Sequence, residues 1–190
     1  HCSRSEPMKA LFLPYKASMW DSLEDVWEEY DKNPAWDAIV VPIPYYDRSP
    51  DGSFRNFYYE GKQFPKNVPV INYADYDIEA EHPDIIFFHN PYDDRNLVTS
   101  VHPDYYSARL RKCTDKLVYI PYFVDAKMDL SDREFRKWYS LWIRTPGIYQ
   151  ADEAIVQSEN MRQFYIETLV QYDGEASRAL WERKIINGGS

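Results

Sequence analysis

The chain has 190 residues, 44% of them hydrophobic, enough for one substantial core or for one domain of a larger enzyme. Its 22 Lys and Arg against 31 Asp and Glu give a formal charge of −9, which excludes a general nucleic-acid binder because phosphate contacts need a basic face. Two cysteines, Cys2 and Cys113, form no disulfide framework or paired metal pattern, and no apolar run approaches a membrane span, so a reducing, cytosolic setting is expected.

Residues 1–8 read as a linker remnant or a cut within a longer chain, 9–186 as one domain and 187–190 as the start of a linker. Lys9 to Tyr15 is a first strand, ended by Pro14. Ser18 and Asp21 offer N-caps for a helix whose face is Trp20, Leu23, Trp27 and Tyr30, stopped at Asn33-Pro34. Asp37 to Pro44 is a second near-continuous apolar strand, which makes a β-α-β unit. Turn chemistry over Asp47 to Gly52 and loose alternation from Phe54 to Glu60 predict a hairpin or excursion. Val68 to Ile71 predicts a short strand, and Tyr73 to Glu81 one or two helical turns.

Ile85-Ile-Phe-Phe88, opened by Pro83-Asp84 and closed by Asn90-Pro91, reads as a strand buried on both faces in a parallel sheet. The stretch 96–111 is expected to be partly helical, followed by a buried strand over Lys116 to Val124. Ser131-x-x-Glu134 reads as a capping box for a helix carrying Phe135, Trp138, Tyr139 and Trp142 up to Pro146-Gly147. A strand ending at Ser158 runs straight into a helix from Glu159, closed at Gly174, and a last helix covers about 176–186. The fold class is therefore α/β, a Rossmann-like three-layer arrangement around a mostly parallel sheet.

No G-x-G-x-x-G or G-x-x-x-x-G-K-[ST] occurs, so a nucleotide phosphate loop of either kind is excluded and no cofactor is expected. In open α/β sheets ligands bind at the carboxyl ends of the strands, which singles out His89, Asn90, Asp93 and Asp94. His89, beside carboxylates that can orient its ring, is the candidate acid–base group, with a His that satisfies local backbone groups as the alternative. His89, His102, Asp93 and Asp94 are the only plausible metal ligands, and without H-E-x-x-H or a Cys pair no metal is expected. His102 with Arg109, Arg111, Lys112 and Lys116 is the one local concentration of positive charge, fit for a phosphate or else a solvated face. Lys16 and Ser18, Tyr45 and Tyr46, and Ser158 with Glu159 share the same predicted edge, as ligand contacts or as loop packing.

The segment Ala151-Asp-x-Ala-Ile-Val-x-Ser158 resembles a turn of the N-terminal half of GT-B glycosyltransferases. More specifically, Phe12 to Leu23, Val41 to Asp47, His89-Asn-Pro-Tyr-Asp-Asp94, Thr99 to Pro103, Lys116 to Phe123 and Val156 to Arg162 resemble, in order, bacterial CDP-glycerol glycerophosphotransferases, which are similar to the teichoic-acid polymerases. The resemblance implies the acceptor-side half of a transferase that moves glycerol phosphate from CDP-glycerol to a cell-wall or teichoic-acid-like polymer. The donor would then bind mainly to a further domain, and the full-length protein would work at the inner face of the plasma membrane through peripheral contact. The polymerases carry Trp-His-Gly where this chain has Pro121-Tyr-Phe-Val, so either His89 or His102 takes the role of their catalytic His, with His89 expected to take the proton of the acceptor hydroxyl, or this group runs a different transfer. Two other readings stand beside this one: a GT-B half using a nucleotide sugar, and a non-catalytic module that binds glycan or a partner through its Tyr-rich edge.

Overall fold

The computed structural model describes residues 6–122 and 129–189. In chain order the strands are β1 (Met8–Leu13), β2 (Trp36–Val40), β3 (Tyr45–Arg48), β4 (Phe54–Tyr58), β5 (Ile85–Phe88), β6 (Thr99–Val101), β7 (Lys116–Tyr119), β8 (Glu153–Val156) and β9 (Ile185–Asn187). The helices are α1 (Asp21–Asp31), α2 (Ile78–Glu81), α3 (Ser107–Lys112), α4 (Arg133–Ser140), α5 (Pro146–Gln150), α6 (Glu159–Asp173) and α7 (Arg178–Lys184).

The central sheet has the order β2-β1-β5-β7-β8-β9 with every pairing parallel. Its inner strands read as unbroken apolar runs because both faces are covered. Leu11, Leu13, Ile86, Phe88 and Leu117 point to the side that also buries Ile148, Tyr165 and Trp181. Ala10, Phe12, Ile85 and Phe87 point to the other side, against Trp20, Leu23 and Trp27 of the α1 segment and Phe64. The result is a Rossmann-like three-layer α/β/α fold. A second sheet, β4-β3-β6, is antiparallel and hangs from the end of β2, where Ile43 N–H donates to Pro14 O and His102 N–H to Pro44 O.

Several local expectations change. The stretch 96–111 is helical in part, over α3, and its residues 99–101 add a strand that was not expected, because they pair with Tyr45 to Asp47. Residues 68–71 form only an isolated bridge, Val40 to Val70. The cap of α4 is Asp132, which accepts from Glu134 and Phe135 N–H, while Ser131 bonds to Asp129. That helix stops at Ser140, and Pro146 opens the separate α5. The last helix ends at Lys184 and gives way to β9, whose Ile185 and Ile186 align with Ala154 and Ile155 of β8. Ser158 caps α6 as expected, accepting from Met161 N–H at 3.1 Å. The expected end of β7 at Val124 and the cysteine Cys2 lie outside the described residues.

Candidate functional site

The strand order reverses direction between β1 and β5, the switch point where a doubly wound sheet opens a crevice at its carboxyl edge. His89 follows β5 at that point and is fully buried. Its Nε2 accepts from Tyr15 N–H at 3.2 Å, just past β1. Its Nδ1 lies 2.9 Å from Ser22 Oγ, and Ser22 donates its own proton to Met19 O at 2.8 Å. The ring must therefore carry its proton on Nδ1 and give it to Ser22. Burial holds the ring neutral, pushing its pKa down to about 3. Both nitrogens are thus engaged by the chain itself, and no lone pair faces a ligand. The expected role as proton acceptor gives way to the alternative reading: His89 staples β1, β5 and the start of α1 together.

The neighbouring polar residues are committed in the same way. Asn90 Oδ1 accepts from Tyr92 N–H at 3.2 Å and closes the turn. Asp93, with φ +52, accepts from Ser107 N–H at 2.9 Å and Ser107 Oγ at 2.7 Å, and so caps α3 from a distance. Burial raises its carboxyl pKa. Its catalytic assignment is replaced by a structural one. Asp94 is exposed, and its backbone carbonyl receives Arg48.

The tyrosine pair after β2 meets the end of β1. Tyr45 donates its hydroxyl to Glu60 Oε2, and Glu60 Oε1 receives Ala17 N–H at 3.1 Å. Burial, then Glu60, raises the Tyr45 pKa, so the phenol stays a donor. Lys16 Nζ lies 5.7 Å from the Tyr15 ring centre and 5.6 Å from that of Tyr45, and it forms no ion pair among the described residues. Ser18 sits exposed in the 3-10 turn Ala17–Met19. Tyr46 stacks on Phe54 at 4.7 Å and approaches His102 at 6.0 Å. His102 Nδ1 accepts from Asp104 N–H at 3.1 Å, which puts the proton of the neutral ring on Nε2. His102 is therefore a hydrogen-bond donor outward rather than a ready base.

The basic run does not join this edge. Arg109 faces Glu79 at 3.7 Å, Arg111 pairs with Asp152 at 2.8 Å and Lys116 with Glu153 at 2.9 Å. Asp152 and Lys116 lie at the amino ends of β8 and β7, the far edge of the sheet, and the pairing neutralises them. Ser158 and Glu159 do stand at the carboxyl edge, with Glu159 bound to Arg162 and Gln163.

Beside the switch point the edge is hollow. A cavity of about 260 Å³ is walled by Tyr119 at the end of β7 and Pro121 and Tyr122 after it, by Tyr92 and Asn96 after β5, by Tyr165 of α6, by Met19, and by Trp138, Tyr139 and Trp142 on or just past α4. Its hydroxyls form two groups: Tyr15 donates to Tyr122 at 3.2 Å, and Tyr139 and Tyr165 share a bond of 2.8 Å. Burial raises the pKa of Tyr92, Tyr122, Tyr119 and Tyr165, so these phenols remain neutral at any physiological pH. Trp138 and Trp142, four residues apart, turn outward at the rim with 46% and 39% of their surface exposed.

The sequence reading missed Glu60 and the cavity wall. Glu60 had one signal, a carboxylate directly before Gly61 at the end of the alternating stretch. Tyr92, Tyr119 and Tyr122 read only as packing, but α4 carries three aromatics and almost no aliphatic residue on its apolar face, which is unusual for a core helix. No group of three His, Cys, Asp or Glu among the described residues is arranged to hold a metal ion. Comparison of the chain with protein-family models, with curated proteins and with solved structures finds no match in any of the three.

Proposed function

We propose that this chain is the acceptor-side half of a GT-B-type transferase, moving glycerol phosphate from CDP-glycerol to a hydroxyl of a cell-surface polymer. The observation that carries the reading is the trio Lys16, Glu60 and Tyr45, gathered just past the carboxyl end of β1. Phosphoryl transfer asks a protein mainly for in-line placement and charge neutralisation. Lys16 supplies the cation. Glu60 keeps unused lone pairs on both oxygens and takes the proton of the acceptor hydroxyl, replacing the histidines as general base. The acceptor oxygen then bonds to the phosphorus that carries glycerol, and the P–O bond to the CMP phosphate breaks, its electron pair leaving on CMP. His102 donates its Nε2–H to a phosphate oxygen. No helix of the described residues is long and apolar enough to cross a membrane, and contact with the membrane surface is part of the proposal for the whole protein.

The test is CMP release from CDP-glycerol by the protein that contains this chain together with its donor-binding part. Glu60→Gln is expected to slow release by roughly 10²–10⁴-fold, and Lys16→Ala by about 10²-fold as one charge-stabilising contact is lost. A Glu60→Gln rate within threefold of the parent removes Glu60 from the mechanism. Release from a nucleotide sugar instead of CDP-glycerol replaces the donor and keeps the site.

A further inference from the structure

From the cavity beside the switch point we infer a binding site for one uncharged sugar ring, held by stacking on Trp138 and Trp142 and by hydrogen bonds from tyrosine hydroxyls. It deepens the transferase reading, on which it rests only in saying that the sugar belongs to the acceptor.

Three features select this ligand class. The first is charge. None of the described residues lining the cavity is Asp, Glu, Lys, Arg or His. The described walls thus offer a phosphate no cation to offset its loss of water, and they favour an uncharged ligand. The high phenol pKa values caused by burial add that the walls themselves acquire no charge. The second is size. About 260 Å³ falls just under the range of roughly 300–1,000 Å³ that takes a drug-sized molecule, which is room for a single ring. The third is surface chemistry. The Trp138 and Trp142 rings lie 6.2 Å apart at 61°, and Trp142 meets Tyr92 edge to face at 5.8 Å. They give a broad apolar wall to the C–H face of a pyranose. Asn96 is held by its own loop, accepting from Val98 and Thr99 N–H and donating to Thr99 Oγ1, so the polar contacts to a sugar rim come from the Tyr92 hydroxyl and from the Tyr122 hydroxyl, which accepts from Tyr15 and keeps its own proton to donate.

The experiment uses this chain with N-acetylglucosamine, methyl glucoside, cytidine and glycerol 3-phosphate as separate probes. Binding is read by saturation-transfer NMR and tryptophan fluorescence. Both sugars are expected to bind in the millimolar range, with their ring C–H protons most saturated. Trp142→Ala should weaken them at least tenfold and Trp142→Phe less, while Tyr122→Phe weakens them a few-fold. Circular dichroism and the Tm of each variant confirm folding, and the exposed position of Trp142 makes that outcome the expected one. Absence of sugar binding, equal binding to Trp142→Ala, or tighter binding of cytidine or glycerol 3-phosphate at this cavity overturns the inference. Lys16→Ala separates the two claims. It should abolish glycerol 3-phosphate binding and leave the sugars unchanged. Sugar binding without a Lys16-dependent phosphate site would sink the transferase reading alone, and the converse would sink only this one.

Discussion

Two neighbouring stretches of the sheet's carboxyl edge carry polar and aromatic residues, with opposite results. Over β1 and β5 both ring nitrogens of His89, the Tyr15 amide, Asn90 Oδ1 and the Asp93 carboxylate are all met by the chain's own backbone, by each other or by a serine. Over β7 and β8 a set of tyrosines and tryptophans leaves a space that nothing in the described chain fills. The lesson concerns the meaning of a polar strand end. Residue type announces that hydrogen bonds will form there, but only an account of the partners tells a structural plug from a ligand site.

The contrast can be broken most forcefully at His89. Replacing it with Ala strands Tyr15 N–H and opens a void, and about 3 kcal/mol of stability should be lost, roughly 6–12 °C in Tm. The same residue gives the plug a pH signature. Its pKa falls from 6.5 unfolded to about 3 folded, so below 6.5 the unfolded chain binds a proton that the folded chain refuses. The stability this group contributes is complete above pH 6.5 and is lost as pH falls toward 3, by at most about 1.4 kcal/mol per pH unit. Urea midpoints taken from pH 4 to 8 should show this slope in the parent and not in His89→Asn. A parent without the excess slope would mean the ring is solvated.

Asp93→Ala comes next, at about 2 kcal/mol, because Ser107 N–H and Oγ both lose their acceptor in a buried setting. On the hollow side the balance reverses. Trp142→Ala should cost under about 1 kcal/mol of stability, since so much of the ring is already in water, while removing most of the sugar affinity. Arg109→Ala should be the mildest, at most about 0.5 kcal/mol by thermal denaturation, because its pair with Glu79 is exposed and long. A loss at Trp142 as large as that at His89 would erase the distinction between plug and hollow.

The layered fold was legible because apolar runs such as Ile85 to Phe88 have no alternative to a doubly covered strand. The cap at Ser158 was legible because its partner is three residues away. What escaped the sequence depended on distant pairing. Residues 99–101 become a strand only because β3 lies beside them, and Ile185 to Asn187 only because β8 does. The site was half legible for the same reason. Lys16 and Tyr45 could be placed by the strands they follow, but Glu60 reaches them across more than forty residues, at Ala17 N–H. The bonds that His89 makes were not legible, since Ser22 and the Tyr15 amide that occupy its ring come from a segment about seventy positions earlier.

The parallel register has a kinetic corollary. β1 cannot finish its own pairing until Ile85 arrives 75 positions after Ala10, and the hollow needs β7, α4 and α6 after that. Contacts so remote in sequence fold slowly, because loop-closure entropy must be met before they form. Meanwhile β4, exposed at all five of its positions on the rim of the small sheet, offers Phe54, Phe57 and Tyr58 to any other strand it meets. Refolding at high protein concentration should therefore clump through this ribbon well before the cavity has walls, and a charge placed at Phe57 would be a direct way to raise the recovered yield.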